Sequence, residues 1–292
     1  MFSIVIPSWN NLSYLKLCIE SLKKYSTVEN EIIVHVNEGV DGTLEWVRSQ
    51  GIPHTHSVKN LGICLAVNLL AARAKYDWLV YANDDMVFGP DWDGALVRAL
   101  KSIPTTLAVL SSTLIERRAS GNNDVVVRDF GNSPEDFNES EFIRGCSAIE
   151  APDRDGRASQ PTLVHRMWWH MVGGYSLEFS PGLSSDDDFL MKCWLIGCRH
   201  FRIVGASRVY HFGERSTLRV RRHRGGRMFV MKWGITQQQF KTDYLAKSAG
   251  MNAAALPTFL GTLKRMGYAS GGYPLGDLAA WNPAPGRHLA DT

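Results

Sequence analysis

The feature that most constrains the fold is the regular exchange of strand and helix signals over the first third of the chain. Phe2-Ser-Ile-Val-Ile-Pro7 is a short β-rich run broken by Pro7 and the polar Ser8-Trp9-Asn10-Asn11, after which Leu12, Leu15, Leu17, Ile19 and Leu22 space as one face of a helix. A second strand is predicted over Glu31 to Val36, then a turn at Asn37 to Gly42 and a short helix over Thr43 to Gln50 that ends at Gly51. His54 to Val58 reads as a third strand, Asn60-Leu61-Gly62 as a loop, and Ile63 to Ala74 as a helix. This βαβαβ rhythm predicts a mostly parallel, Rossmann-like sheet with helices on both faces.

The next strand carries the chemistry. In Leu79-Val-Tyr-Ala-Asn-Asp-Asp-Met-Val-Phe-Gly-Pro90 an apolar run ends in three polar groups before a Gly-Pro stop, so a buried strand delivers Asp84 and Asp85 to its carboxyl end. In open α/β sheets ligands bind at that edge. Two acids there suit a divalent cation held by oxygen ligands against a phosphate. The competing reading is a solvated turn, since Asn and Asp are common turn formers.

Pro90 to Ala99 is predicted as a helix and Leu107 to Leu114 as a strand. From Ile115 to Gln160 the periodicity is poor and the polar and Gly/Pro content high, which predicts long loops with short strands that shape a binding site. Asp186-Asp187-Asp188 opens a helix whose Phe189, Leu190, Cys193, Trp194 and Ile196 lead to Gly197; acids at the start and glycine at the end are the favoured arrangement. Ile203 to Tyr210 is a last strand, and beyond about Met251 the chain is rich in Gly, Pro and Ala without periodicity.

The 292 residues suffice for one large α/β domain with an appendage. A formal net charge of +3 is too small to name a partner, but Arg215, Arg219, Arg221, Arg222, Arg224, Arg227 and Lys232 crowd one segment. The five cysteines form no CxxC pair and are odd in number, which predicts reduced thiols rather than a disulfide framework. The chain starts on an apolar strand without a basic leader, and no run approaches the ~18 apolar residues of a membrane span. The expectation is a soluble cytoplasmic protein without a transmembrane segment.

Four stretches in order resemble the family 2 glycosyltransferases. They are Ile4-Val-Ile-Pro-Ser-Trp-Asn-Asn11, Asn60-Leu-Gly-Ile-Cys-Leu-Ala-Val-Asn68 leading to the acidic strand end, Gly173-Gly-Tyr-Ser176 followed by Asp186-Asp-Asp188, and Val209-Tyr-His-Phe-Gly213. The resemblance implies a GT-A fold over residues 1–235, with a nucleotide-sugar-binding half at 1–110 and an acceptor and catalytic half at 111–235. Residues 236–292 would be a C-terminal helical extension and tail.

The resemblance also assigns roles. Asn83-Asp84-Asp85 falls on the DxD motif, with Asp85 as metal ligand and Asn83 replacing the first acid; Asp84 is assigned to donor binding. His211 matches the late metal ligand, and its imidazole favours Mn²⁺ over Mg²⁺. Asp186 aligns with the base of an inverting transfer, Asp187 is its rival and Asp188 is a second acid. Neighbouring carboxylates would raise the pKa of such a base. Pro7, Ser8, Asn10, Glu38 and Asn60 are the candidates around the nucleoside, with a UDP-sugar as the expected donor. Asn37 and Glu38 stand where an Asp is usual, in a turn one residue shorter, so the base identity stays open. Gly62 is expected only to let the backbone turn.

Arg215 is placed on the diphosphate by the same comparison, through bidentate guanidinium–phosphate pairing. The remaining arginines suit a solvated face, an anionic acceptor, or nucleic-acid phosphates with Phe212, Phe229 and Trp233 as stacking groups. Trp168, Trp169 and Tyr175 are candidates to stack on an acceptor ring or to anchor the core. The expected acceptor is a glycan or lipid-linked saccharide, with nucleic acid as the alternative. A sugar-nucleotide binder without activity, suggested by Asn83 and Asn37-Glu38, and a nucleotidyltransferase are the rival readings.

Overall fold

A computed structural model describes residues 1–119, 124–213 and 224–247, all within the compact unit Met1–Met251. Its strands are β1 (Ser3–Trp9), β2 (Glu31–Asn37), β3 (His54–Ser57), β4 (Trp78–Tyr81), β5 (Met86–Phe88), β6 (Ala108–Glu116), β7 (Val125–Val127), β8 (Arg154–Asp155), β9 (Thr162–His165) and β10 (His200–His211). The helices are α1 (Leu12–Tyr25), α2 (Thr43–Ser49), α3 (Gly62–Ala71), α4 (Trp92–Lys101), α5 (Glu139–Ala148), α6 (Arg166–Met171), α7 (Ser185–Leu195) and α8 (Gly225–Trp233), followed by a turn at Gln237–Gln239 and a π-helical turn at Phe240–Leu245.

One sheet runs in the order β3-β2-β1-β4-β9-β6-β10-β5, with β7 beside β6 and β8 beside β10. β3, β2, β1 and β4 are parallel, as the alternation predicts. β9 enters antiparallel between β4 and β6, and β10 runs parallel to β6. Two reversals restore the direction, so β1, β2, β4, β6 and β10 all end at one edge. That edge is where the polar residues gather.

Alternation along the strands explains the core. Ile4 and Ile6 of β1 and Val34 and Val36 of β2 join Leu15, Cys18 and Leu22 of α1 and Trp92 of α4 in one cluster. A second cluster forms around α5, where Phe142 and Cys146 meet Val87, Ile115 and Tyr210. The five cysteines are buried free thiols, and no described helix is long and apolar enough to cross a membrane.

Two elements differ from expectation. Residues 139–148, expected as loop, form α5: Asn138 caps it by accepting from the Glu141 N–H at 3.1 Å, and Phe142 and Cys146 supply a buried stripe too short to register as periodicity. Residues 225–233, read only as part of a basic segment, form α8, held inward by buried Phe229 and Trp233.

β10 is longer than predicted and contains a bulge. Val204 faces Ser112 but Arg208 faces Thr113, so Gly205, Ala206 and Ser207 have no counterpart on β6. Side chains stitch the gap: Ser112 and Ser207 hydroxyls lie 2.7 Å apart, and Thr113 Oγ1 donates to the Val204 carbonyl at 3.1 Å. Gly205 permits the kink because a Cβ there would lie 1.8 Å from the Ala151 carbonyl oxygen.

Candidate active site

A cavity of about 610 Å³ opens at the carboxyl edge of the sheet. Of the residues singled out in the sequence, Pro7, Ser8, Asn60, Asp84 and Asp85 line it from the first half of the chain, and Asp186, Asp187 and His211 line it from further along. Asn10 and Glu38 do not line it. Arg215 and its neighbours through Arg222, and the tail beyond residue 247, lie outside the described residues.

His211 ends β10 beside Glu116 of β6 on one side and Met86 of β5 on the other. Its Nδ1 lies 2.9 Å from Glu116 Oε1, which fixes the ring, and its Nε2 lies 3.3 Å from Asp85 Oδ1. Burial alone would lower the imidazole pKa, but the neighbouring carboxylates of Asp85 and Glu116 outweigh it and raise it to about 10. Nε2 makes no hydrogen bond among the described residues. Two ligands of one octahedral ion, each ~2.1 Å from it, stand about 3 Å apart, so the Asp85–His211 spacing fits a shared cation. Glu116 stands behind the ring, where metal-binding histidines have a carboxylate partner. Among the described residues no group of three or more His, Cys, Asp or Glu is arranged to hold a metal alone. Substrate oxygens and water would have to complete the shell.

Asp84, 4% exposed, accepts from Asn11 Nδ2 at 3.0 Å. Asn11 is thereby spent on tying α1 to the acidic strand end and makes no side-chain cap for the helix it precedes. Asn83 also lines the cavity, and its Oδ1 accepts from the Tyr81 hydroxyl at 3.0 Å.

At the end of β1, the Ser8 hydroxyl is buried without a hydrogen-bond partner among the described residues. Asn60 Oδ1 accepts from the Gly62 N–H at 2.8 Å. Gly62 has φ +75°, and a Cβ there would lie 2.9 Å from Pro181 Cα, so it serves both a turn and a close approach. Asn10 and Glu38 instead latch two loops together: Glu38 Oε2 accepts from Trp9 Nε1 and Asn10 Nδ2, both at 2.9 Å, while Asn10 Oδ1 accepts from Gly39 and Val40 N–H, both at 3.0 Å. They shape the loop that carries Trp9, which does line the cavity.

The three acids at the start of α7 have separate fates. Asp188, fully buried, accepts from Ser176 Oγ at 2.6 Å, Lys232 Nζ at 2.8 Å and Trp233 Nε1 at 2.9 Å. It ties α8 to α7. Asp187, 1% exposed, is held by Arg157 Nε at 2.6 Å on one oxygen and by Gln237 Nε2 on the other. Asp186 is paired with Arg157 Nη2, and its carboxyl is raised above the ordinary range by burial, with Arg157 opposing and Asp187 adding to the rise. The rise expected from neighbouring carboxylates therefore comes first from burial.

Sequence reasoning missed Glu116, Arg157 and Gln237. Glu116 follows an apolar strand and had the strand-end position as a signal. Arg157 and Gln237 sit in irregular sequence, and nothing local marks them. The aromatic candidates belong to the core: Trp169 packs on Tyr175 and Phe189 with ring centroids at 5.1 and 4.6 Å, and Trp168 donates to Thr106 Oγ1 at 3.2 Å. Phe212, Phe229 and Trp233 are buried too, which removes them as stacking surfaces in this conformation.

The mixed sheet with helices around it has the GT-A type of fold. Residues 3–143 match the model of Glycosyl transferase family 2, and the fold is similar to that of solved GT-A glycosyltransferases. No curated protein sequence matches the chain. Similar solved structures include TarS from S. aureus, with 14% identity and a TM-score of 0.53 over 72% of this chain and 60% of that one. GalNAc-T7 with UDP, GalNAc and Mn²⁺ shares 15% identity, TM-score 0.58, over 99% of this chain and 59% of that one. The mannosyltransferase PcManGT from Pyrobaculum calidifontis, in complex with GDP-Man and Mn²⁺, shares 18% identity, TM-score 0.55, over 96% and 78%. At these identities the likeness establishes the fold. The chain spans about three fifths of the length of the TarS and GalNAc-T7 chains.

Proposed function

We propose that the protein is a metal-dependent inverting glycosyltransferase that moves a sugar from a nucleoside diphosphate donor to an acceptor hydroxyl. The observation that carries this reading is the Asp85–His211 pair at 3.3 Å sharing one cavity with Asp186. Asp85 and His211 would hold the ion, Mn²⁺ before Mg²⁺ because of the imidazole ligand, and the ion would offset charge on the departing diphosphate. Ser8, Asn60 and Asp84 would bind the nucleotide. Asp186 takes the proton from the acceptor hydroxyl; the acceptor oxygen bonds to the anomeric carbon as the bond to the β-phosphate oxygen breaks, and its electron pair leaves with the nucleoside diphosphate.

A UDP-sugar is the donor of first choice, with GDP-sugars next, since structures of similar fold carry UDP in one case and GDP-Man in another. The acceptor is a glycan or lipid-linked saccharide. Nucleic acid is the weaker alternative, because the aromatic side chains that would stack on bases are buried. Five free thiols suit the reducing cytosol. We assign residues 1–235 to the transferase domain, with the donor half ending near residue 110.

The test is a thermal-shift and calorimetric screen against UDP-, GDP-, dTDP- and CMP-sugars, each with Mn²⁺ and with chelator, followed by mass spectrometry of acceptors. Metal-dependent stabilisation by one donor and loss of transfer in Asp186→Asn with donor affinity kept would support the reading. Donor binding without turnover of any acceptor would favour an inactive binder, and pyrophosphate release a nucleotidyltransferase.

A further inference from the structure

Arg157 belongs to no motif in the sequence, yet its side chain, 15% exposed, lines the cavity and engages both acids at the start of α7. The two contacts differ in kind. Asp187 is closed on both oxygens, by Arg157 Nε and by Gln237 Nε2, and its side chain is 1% exposed. Asp186 keeps 17% side-chain exposure, and its Oδ1 accepts from the Asp187 N–H at 2.9 Å while Oδ2 meets Arg157. A guanidinium is planar, so a guanidinium fixed at Nε presents its terminal nitrogen in one direction only.

We propose that Arg157 is a positioning residue for sugar transfer: anchored on Asp187, it holds the Asp186 carboxylate ionised and in one orientation toward the cavity. Asp187 is then the anchor and Asp186 the base. This rests on the transferase reading of the site. The groups that face Asp186 are Arg157 and Asp187, Lys241 from the π-helical turn, and Tyr81 and Tyr175, whose hydroxyls burial keeps neutral. Burial drives Asp186 toward its protonated form, Asp187 adds to that, and Arg157 is the largest opposing influence. Without Arg157, two carboxyls share a buried corner and one of them takes up a proton. A protonated Asp186 cannot accept the acceptor's proton.

The experiment compares the wild-type chain with Arg157→Gln and Arg157→Lys in kcat/KM against pH, with donor affinity by calorimetry. Arg157→Gln is expected to lose about 100-fold in kcat and to move the acid limb to higher pH, with donor Kd changed less than about twofold. Arg157→Lys keeps the charge but not the fork, so it should keep the limb near its wild-type position and lose about tenfold in kcat. A structural role alone would leave the limb in place, and an unmoved limb in Arg157→Gln overturns the proposal. If Arg157→Gln does not fold, Arg157→Lys decides, and wild-type kcat in that variant overturns it. If the wild type turns over no donor, the transferase reading falls by itself. Carboxyl ¹³C titration of Asp186 in wild type and Arg157→Gln then still tests the control of its ionisation: an upward shift supports it and no shift overturns it.

Discussion

Asn68 and Tyr175, 107 residues apart, exchange two hydrogen bonds: Asn68 Nδ2 donates to the Tyr175 carbonyl at 2.8 Å, and the Tyr175 N–H donates to Asn68 Oδ1 at 2.9 Å. The carboxamide acts as a backbone strand would, joining α3 to the turn before α7. Two of the stretches that carry the family resemblance are thus one physical unit. Asn68→Ala leaves both backbone groups without these partners and should cost about 2 kcal/mol in stability, measured by urea denaturation.

The Asp85–His211–Glu116 line predicts a graded loss. If these residues hold the proposed ion, Asp85→Ala or His211→Ala should abolish the Mn²⁺ dependence of donor binding in calorimetry. Glu116→Gln keeps the fold and the ring contact but weakens the hold on Nδ1, and should reduce Mn²⁺ affinity by roughly 10- to 100-fold. Unchanged affinity in all three would place the ion elsewhere.

Asp188 predicts a change in stability rather than chemistry. Removing it leaves the Trp233 Nε1–H and the Ser176 hydroxyl without this acceptor, while Lys232 keeps Glu178 at 2.7 Å, so Asp188→Ala should cost about 2 kcal/mol. Denaturation monitored by tryptophan fluorescence would read it directly.

His35 on β2 is 1% exposed, with Thr55 Oγ1 at 2.6 Å from Nδ1 and Ser57 Oγ at 3.1 Å from Nε2. Burial lowers its pKa to about 4, against opposition from Asn37 and with help from His56. The unfolded chain, with the ordinary value near 6.5, therefore takes up this proton first as pH falls. The His35 contribution is full above about pH 6.5 and declines by up to ~3 kcal/mol toward pH 4. Comparing the pH dependence of Tm in wild type and His35→Gln isolates it, and parallel curves would refute it.

The sheet was readable where helices and strands alternate with clear periods, from β1 through β4, because burial on one face writes itself into the spacing. The antiparallel entry of β9 was not, since Thr162 to His165 looks the same in either direction. α5 hid because its buried stripe is chiefly Phe142 and Cys146. The acids of the site were visible as polar residues ending apolar runs. Arg157 was invisible, because its partners lie about 30 residues away and its role exists only once α7 is in place. Asn10 and Glu38 were noticed as polar residues at the right strand ends, but the bonds between them could not be read from either stretch alone.

The bulge in β10 sets the composition of the Asp85–His211 pair from a distance. If the register of Val204 with Ser112 continued unbroken, Glu116 would stand opposite Arg208, and His211 would run past the end of β6. The three unmatched residues advance the strand and, being odd in number, also exchange its faces. Gly205 to Ser207 thus work as a spacer that chooses which side chain meets the strand-end acid. The side chain that faces Asp85 can be rewritten by the length of a kink, with no substitution in the cavity itself.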